Sequence, residues 1–379
     1  MDKKTFKLHT ENHDRDIFES IYIYPVLSRR AGGLSLGINL NTNNACNWQC
    51  IYCEIPNLTR GNPEPIDLNL LEDELRQWLF KINHTSFIAE NCPPNTSFAD
   101  IAFSGNGEPT AATEFADAID RSIKLLDEFH LVNKVPIRLI TNGSFIHKNL
   151  DAIKTISKNN GEVWFKVDAG NTLAMKQINQ INPSMKQIHN NLDLCIRHVS
   201  TVVQSCFLKI DGSIPSNKFL DDYINFINPF SNSLKGIHIY SLARPSYQKS
   251  EVDIQRLDLE ELSYIQQYIN NQIDCLIDIF LNPSLDIIND ILMFMKDYEK
   301  LIHFKKIIVY PLLFIIICSY FSFILLIAYY PNWLSQKIFD SSISYGIAYG
   351  FFLIFLIFLV TLVYVYLSNK LIEPIVKRI

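Results

Sequence analysis

The sequence predicts an α/β unit of six strands, each followed by a helix, and then a C-terminal transmembrane helical hairpin. Three observations carry this reading. Short β-branched apolar segments alternate with longer amphipathic ones, a cysteine triplet follows the first of those segments, and two long uncharged runs lie near the C-terminus. The chain has 379 residues, 48% hydrophobic and 19% charged, which is too apolar for a disordered chain. A net charge of −5 excludes a globally basic nucleic-acid binder, although a local basic groove stays open. Eight cysteines are too sparse for a disulfide scaffold. The opening MDKKTFKLHTENHDRD is charged and lacks the apolar core of a signal peptide, so the bulk of the protein is expected in the reducing cytosol.

The strands are expected at residues 34–40, 100–104, 137–141, 163–167, 201–207 and 236–240. Most are short and apolar on both faces, as buried parallel strands are. Helical periodicity fills 69–82, 112–129, 146–157, roughly 172–187, and 217–227. Six such units make either an open parallel sheet or a partial barrel, and both gather chemistry at the carboxyl ends of the strands. Residues 1–245 are read as this domain and 246–306 as a helical linker, with a helix from about residue 257. After Pro283 an amphipathic stretch carries Leu285, Ile288, Leu292, Met295 and Ile302 on one face, suited to a membrane surface or the globular domain.

Directly after the first strand stands Cys46-Asn47-Trp48-Gln49-Cys50-Ile51-Tyr52-Cys53. Three thiolates in one short loop ligate three irons of a [4Fe–4S] cube and leave the fourth iron open to a small molecule. A zinc site is the alternative, but it requires a fourth Cys or His, and no C-x₂-C or H-x₃-H partner stands nearby. This C-x₃-C-x₂-C loop resembles that of the radical S-adenosylmethionine (radical SAM) superfamily. The resemblance implies a partial (β/α)6 parallel barrel, Cys46, Cys50 and Cys53 as cluster ligands, and S-adenosylmethionine chelated by the open iron. It also implies an adenine near Tyr52, the aromatic before the third cysteine.

The second strand runs into Ser104-Gly105-Asn106-Gly107-Glu108-Pro109. Glycines let backbone carbonyls approach a ligand closely, and a carboxylate pairs with an ammonium. The segment is similar to the superfamily's Gly-Gly-Glu motif, interrupted here by Asn106, which implies that Gly105, Gly107 and Glu108 hold the methionine ammonium. Asn142, Asp168 and Gln204, at or in later strands, take positions where the family contacts the ribose and carboxylate, or act as turn formers and caps. Arg244 meets an anionic group or caps the edge of the barrel. Arg29 and Arg30 form a basic turn or face an anionic substrate. The stretch from Tyr24 to Asn39 resembles a subfamily of unassigned substrate grouped loosely with wyosine-type tRNA-modifying enzymes; the resemblance spans about 18–245. Cys92, Cys195, Cys206 and Cys275 show no ligand spacing and are read as small buried thiols.

From residue 307 to 330, and again from 341 to 369, no charge occurs. Each run exceeds the roughly 20 residues that cross a bilayer as helix. The spans are placed at about 307–330 and 343–367, inside a unit of 307–379. Lys296, Lys300, Lys305 and Lys306 precede the first span and Lys370, Lys377 and Arg378 follow the second, whereas the intervening loop carries Lys337. The positive-inside rule then puts both flanks and the catalytic domain in the cytosol, the protein being multi-pass in the inner (cytoplasmic) membrane. Residues 319–334, 344–352 and 364–374 resemble a small two-span inner-membrane family often encoded beside sodium:acetate-type symporters. Gly346 and Gly350 form a small-xxx-small pair suited to close helix approach.

The expected function is reductive cleavage of S-adenosylmethionine to a 5′-deoxyadenosyl radical that abstracts hydrogen from a substrate the sequence does not identify. A low-potential ferredoxin or flavodoxin is the implied electron donor. Two alternatives stand beside it: a tRNA-modifying radical SAM enzyme, against which the acidic balance counts, and a non-catalytic membrane-bound iron–sulfur sensor or transporter partner.

Overall fold

Strand and helix alternate over residues 23–281 as the apolar periodicity dictates. A computed structural model of the chain describes residues 8, 20–281, 285–339 and 342–373, without the side chains of 285–300, 305 and 371. The chain forms two compact units, Met1–Asn282 and Pro283–Ile379.

Eight strands of the first unit make one sheet in sequence order: β1 (Ile23–Ser28), β2 (Gly33–Ile38), β3 (Phe98–Phe103), β4 (Ile137–Thr141), β5 (Glu162–Lys166), β6 (Ser200–Cys206), β7 (Gly236–Tyr240) and β8 (Ile277–Phe280). β1 pairs antiparallel with β2, and every later neighbour pairs parallel. The intervening helices are α1 (Leu68–His84), α2 (Phe115–Glu128), α3 (Leu150–Lys158), α4 (Thr172–Asn179), α5 (Met185–His198), α6 (Asn217–Ile227) and α7 (Leu259–Asn270). This is the α/β half-barrel sheet that the sequence predicts, with the six expected strands as β2 to β7.

Four local expectations need correction. The helix expected over 172–187 breaks in two. Gln180 takes a left-handed φ of 54° after α4, Pro183 disfavours helix at the residue before it, and Ser184 caps α5 by accepting from the Gln187 N–H. Residues 246–281 are not a linker, for α7 and β8 extend the sheet, with Ile277 to Phe280 in parallel register with Ile237 to Tyr240. β1 escapes notice because Pro25 argues against a strand; its place at the sheet edge tolerates the missing donor. The strands are not apolar on both faces. Leu34, Leu36, Ile101, Phe103, Ile137, Leu139, Val163, Phe165, Val203, Ile237 and Ile239 are fully buried in one core with Leu71, Leu75, Phe115, Ile119, Ile153, Ile156, Leu192, Leu220 and Leu262 of the helices. The alternating positions carry Ser35, Asp100, Arg138, Glu162, Trp164, Gln204 and His238 on the other face.

Polar groups lock the first edge and the middle of this sheet. The Glu74 carboxylate of α1 accepts the backbone N–H groups of Ile21, Tyr22 and Ile23 at 2.8, 2.9 and 3.2 Å and so fixes where β1 begins. On the inner face Arg138 bridges Asp100 and Glu162, and Lys235 reaches the other Glu162 oxygen.

In the second unit, α8 (Leu285–Tyr329) is followed by a single helical turn at Pro331–Leu334 and then by α9 (Tyr345–Leu367). Leu301–Tyr329 of α8, and Tyr345–Lys370, which is α9 with the three residues after it, are long and apolar enough to cross a membrane, with mean hydropathies of 2.6 and 2.7. Pro311 sits inside α8. The Tyr349 ring stacks on Phe323 at 5.1 Å, its hydroxyl lies 2.6 Å from that of Ser322, and Trp333 stacks on Tyr345 at 5.0 Å. A Cβ at Gly350 would meet nothing, so this glycine leaves an open surface instead of seating the other helix. The amphipathic face expected at Leu285, Ile288, Leu292 and Met295, and the flanking Lys296, Lys300, Lys305, Lys377 and Arg378, lie outside the described side chains.

The loop leaving β5 lies against the backbone of α6 at Gly170, where a Cβ would stand 2.0 Å from the Asp222 carbonyl oxygen. Gly170→Ala is expected to lower the unfolding free energy by about 1–3 kcal/mol, read from urea unfolding of the detergent-solubilised chain followed by tryptophan emission.

Candidate functional site

The loops at the carboxyl ends of the strands, the inner face of the sheet and the β1–β2 turn build two neighbouring cavities. The smaller, of about 170 Å³, is lined by Cys46, Cys50 and Cys53 together with Gly105, Asn106, Gly107, Glu108, Asn142 and Lys166. The larger, of about 280 Å³, is lined by Arg29, Arg30, Arg244, Glu54, Tyr52 and Tyr240, among others. Ser104, Gly105 and Ile140 line both.

The cysteine loop follows β2 and closes where Ala45 and Cys46 pair with Thr59 and Arg60. All three cysteines are free. Burial pushes the Cys46 and Cys50 thiols up, to about 12 and about 11. Cys46 Sγ accepts the Trp48 N–H at 3.4 Å, and Cys50 Sγ accepts the Asn179 amide at 3.2 Å. Such N–H···S bonds favour charge on sulfur and set the potential of a cluster held there. Among the described residues, no three His, Cys, Asp or Glu side chains are placed to hold a single metal ion. A cube takes each thiolate on a different iron, so three ligands standing around a volume fit it.

The glycine loop is pressed onto the cysteine loop. A Cβ at Gly107 would fall 2.1 Å from the Ala45 carbonyl oxygen, and one at Gly105 would fall 2.2 Å from Asn39 Oδ1. Asn39 Oδ1 accepts the N–H groups of Asn106 at 3.0 Å and Asn41 at 3.1 Å, and Asn41 donates to Ala45 O at 2.9 Å. Glu108 is buried. Its Oε1 accepts from the Thr110 N–H and hydroxyl and from the Thr141 hydroxyl, and its Oε2 accepts from the Asn142 N–H, which leaves Oε2 with acceptor capacity to spare. Burial raises its pKa, against those four bonds. Glu108 thus ties the end of β4 to the glycine loop, and Asn142 is held to Asn47 of the cysteine loop at 2.8 Å.

The other expected residues fall in two places. Tyr52 lines the larger cavity, not the cysteine cavity. Its hydroxyl donates to Asp168 and accepts from Lys166 Nζ at 2.9 Å. Asp168 and Gln204 are fully buried and lie on neither wall. Asp168 accepts from Tyr52, from Asn179 Nδ2 at 2.7 Å and from the Cys206 N–H at 2.9 Å. Gln204 accepts from Arg30 and donates to the Trp164 carbonyl at 3.0 Å. Arg244 pairs with Glu54, with Nε to Oε2 at 2.8 Å.

Several site residues left no signal in the sequence. Asn179 ends a helix, and Lys166 ends a strand. The segment after Arg244 straps the cysteine loop: Ser246 Oγ donates to Ile51 O at 2.7 Å, the Tyr247 N–H to Cys53 O at 3.1 Å, and Gln248 Nε2 to Ile55 O at 2.8 Å.

Comparison with known proteins places the two units differently. Residues 295–379 match the family described as "Protein of unknown function, DUF485". Longer similarities cover about two thirds of the chain. A "UPF0026 protein" of Helicobacter pylori is 27% identical over 241 residues, 63% of this chain and 65% of that protein. The "GTPase Obg" of Brachyspira hyodysenteriae is 25% identical over 259 residues, 67% of this chain and 34% of that protein. The chain thus spans less than two thirds of the length of these curated relatives. Among solved structures it is similar to radical SAM enzymes. A radical SAM methyltransferase from Sphaerobacter thermophilus has a TM-score of 0.45 at 13% identity, covering 69% of this chain and 70% of that one. The hydrogenase maturase HydG from Carboxydothermus hydrogenoformans has a TM-score of 0.40 at 10% identity, over 65% and 58%.

One buried base on the inner face gives a pH test. His238 packs edge-on against Trp164 and Phe280 at 5.2 and 4.7 Å, and burial, with Arg30 adding to it, lowers its pKa from 6.5 to about 4. Between these values the unfolded chain binds the proton and the folded one does not. The contribution is therefore complete above pH 6.5 and lost as pH falls toward about 4. His238→Gln is expected to flatten the difference in unfolding free energy across this window by at most about 3 kcal/mol, measured by urea titration of both proteins at each pH.

Proposed function

We propose that the first unit is a radical SAM enzyme that holds a [4Fe–4S] cluster on Cys46, Cys50 and Cys53 and cleaves S-adenosylmethionine reductively. The observation that carries this reading is three free cysteines and the Gly105–Glu108 loop on the wall of one cavity. Bound there, the cluster and its ligand supply a 5′-deoxyadenosyl radical for hydrogen abstraction. The chain's own part is placement and exclusion of water. Gly105 and Gly107 bring backbone carbonyls to the cavity wall. Glu108, on the same cavity wall, braces that loop, and Asn142 presents a polar side chain beside it. Asp168 acts behind Tyr52 as a positioning residue. Binding a cluster releases the thiol protons that burial holds in place.

The second unit is proposed to anchor this enzyme in the inner membrane, with both flanks in the cytosol and the 331–340 loop outside. Two apolar helices support the anchor, and the lysine distribution supports its orientation. A low-potential ferredoxin or flavodoxin is the proposed reductant.

The full chain, reconstituted anaerobically with iron and sulfide and given dithionite and S-adenosylmethionine, is expected to yield 5′-deoxyadenosine. Cys50→Ala is expected to hold no cluster and yield none. A cluster that forms without nucleoside, even with cell extract as a substrate source, removes the enzymatic reading. Lys337→Cys in intact cells is expected to react with a membrane-impermeant maleimide added from outside; protection from it reverses the proposed orientation.

A further inference from the structure

The larger cavity is cationic in a way its own partners do not settle. Arg244 spends its charge on Glu54. Arg30 bonds the neutral Gln204 and lies over the Trp164 and Tyr240 rings, 5.4 and 5.0 Å from their centroids. Asp100 on the same wall gives its Oδ2 to Arg138 and keeps a buried Oδ1 without a hydrogen-bond partner. Arg29, in the β1–β2 turn, has a buried Nη1 with no hydrogen-bond partner. Burial, with Arg30 and Arg244 adding to it, holds the Arg29 pKa below its ordinary 12.5. Leaving a guanidinium nitrogen buried and unpaired is destabilising, and the fork geometry of Arg suits the two oxygens of a carboxylate or phosphate.

We propose that this cavity is an oxyanion site in which Arg29, with Arg30 beside it, holds a phosphate or carboxylate group of the substrate. Building on the enzymatic reading above, the substrate is an anionic small molecule. Its charged group sits in the 280 Å³ cavity, and the part to be attacked lies toward the shared wall of Ser104, Gly105 and Ile140. A neutral substrate would leave Arg29 as it stands. The basic pair at the hairpin tip is thus a binding element and not a solvated turn.

The same chemistry has two sources, because S-adenosylmethionine carries a carboxylate of its own. The test is thermal unfolding of the detergent-solubilised full chain at fixed ionic strength, titrated separately with inorganic phosphate, acetate and S-adenosylmethionine. Phosphate or acetate is expected to raise the unfolding temperature saturably by mass action. Arg29→Met is expected to unfold at a higher temperature than the wild type without any anion, because it removes a guanidinium nitrogen that is buried without a partner. It is also expected to lose at least about tenfold in affinity for the anion, with Arg29→Lys in between. S-adenosylmethionine binding by the reconstituted protein is expected to be unchanged in Arg29→Met. Cys50→Ala, which disables the cluster, is expected to keep the phosphate or acetate response, so the failure of the cofactor reading registers separately. No saturable response to either anion overturns the proposal, as does an Arg29→Met protein that is less stable yet responds like the wild type. Loss of S-adenosylmethionine binding in Arg29→Met assigns the anion to the cofactor and overturns the substrate site.

Discussion

The fully buried Asp168 carboxylate is the joint on which the site depends. It lies just past β5, and it accepts from Tyr52 in the cysteine loop, from Asn179 at the end of α4 and from the Cys206 N–H at the end of β6. A loop that carries ligands has little regular backbone pairing of its own, so its polar groups must find partners elsewhere. The Gln49 and Ile51 N–H groups bond Asn179 O at 3.2 Å and Ile178 O at 2.9 Å, which docks the loop on the same helix end. Ser246, Tyr247 and Gln248 take up carbonyls from the other side. The three cysteines are thereby fixed by contacts distant in sequence.

The half-barrel divides its polar residues by depth. Near the amino ends of the strands, Arg138 neutralises Asp100 and Glu162, and Lys235 completes the set. Near the carboxyl ends, neutralisation is incomplete, and the cavities open there. Arg30 stands between the two zones, packed over Trp164 and Tyr240 and bonded to Gln204.

The second unit follows another rule. Its helices expose apolar side chains such as Phe314, Phe321, Phe351, Phe355 and Phe358 instead of burying them in a core. What joins the helices is a small set of aromatic and hydroxyl contacts at Ser322, Phe323 and Tyr349. Gly350 faces open space, so the small-residue spacing leaves room for something other than the neighbouring helix of this chain.

Periodicity and spacing by themselves determined the α/β class, six of the eight strands of the main sheet, the cysteine triplet and the two apolar spans, whereas the partial barrel and the glycine motif rested on the family resemblance. The former are all local patterns, set by side-chain alternation, by ligand spacing within a few residues or by the length of an uncharged run. β1 and β8 were missed for reasons equally local: a proline in one, and only four residues in the other. Tertiary structure decided what local pattern cannot carry. It put Asp168 and Gln204 behind the walls and not on them. It spent the Glu108 carboxylate on Thr110, Thr141 and Asn142, and it recruited Asn179, Lys166 and Ser246 to the site. It also turned Arg29 and Arg30 from a hairpin tip into the lining of a cavity. Hydrogen-bond partners and burial are properties of residues that meet across many intervening positions, and only the closed sheet brings them together.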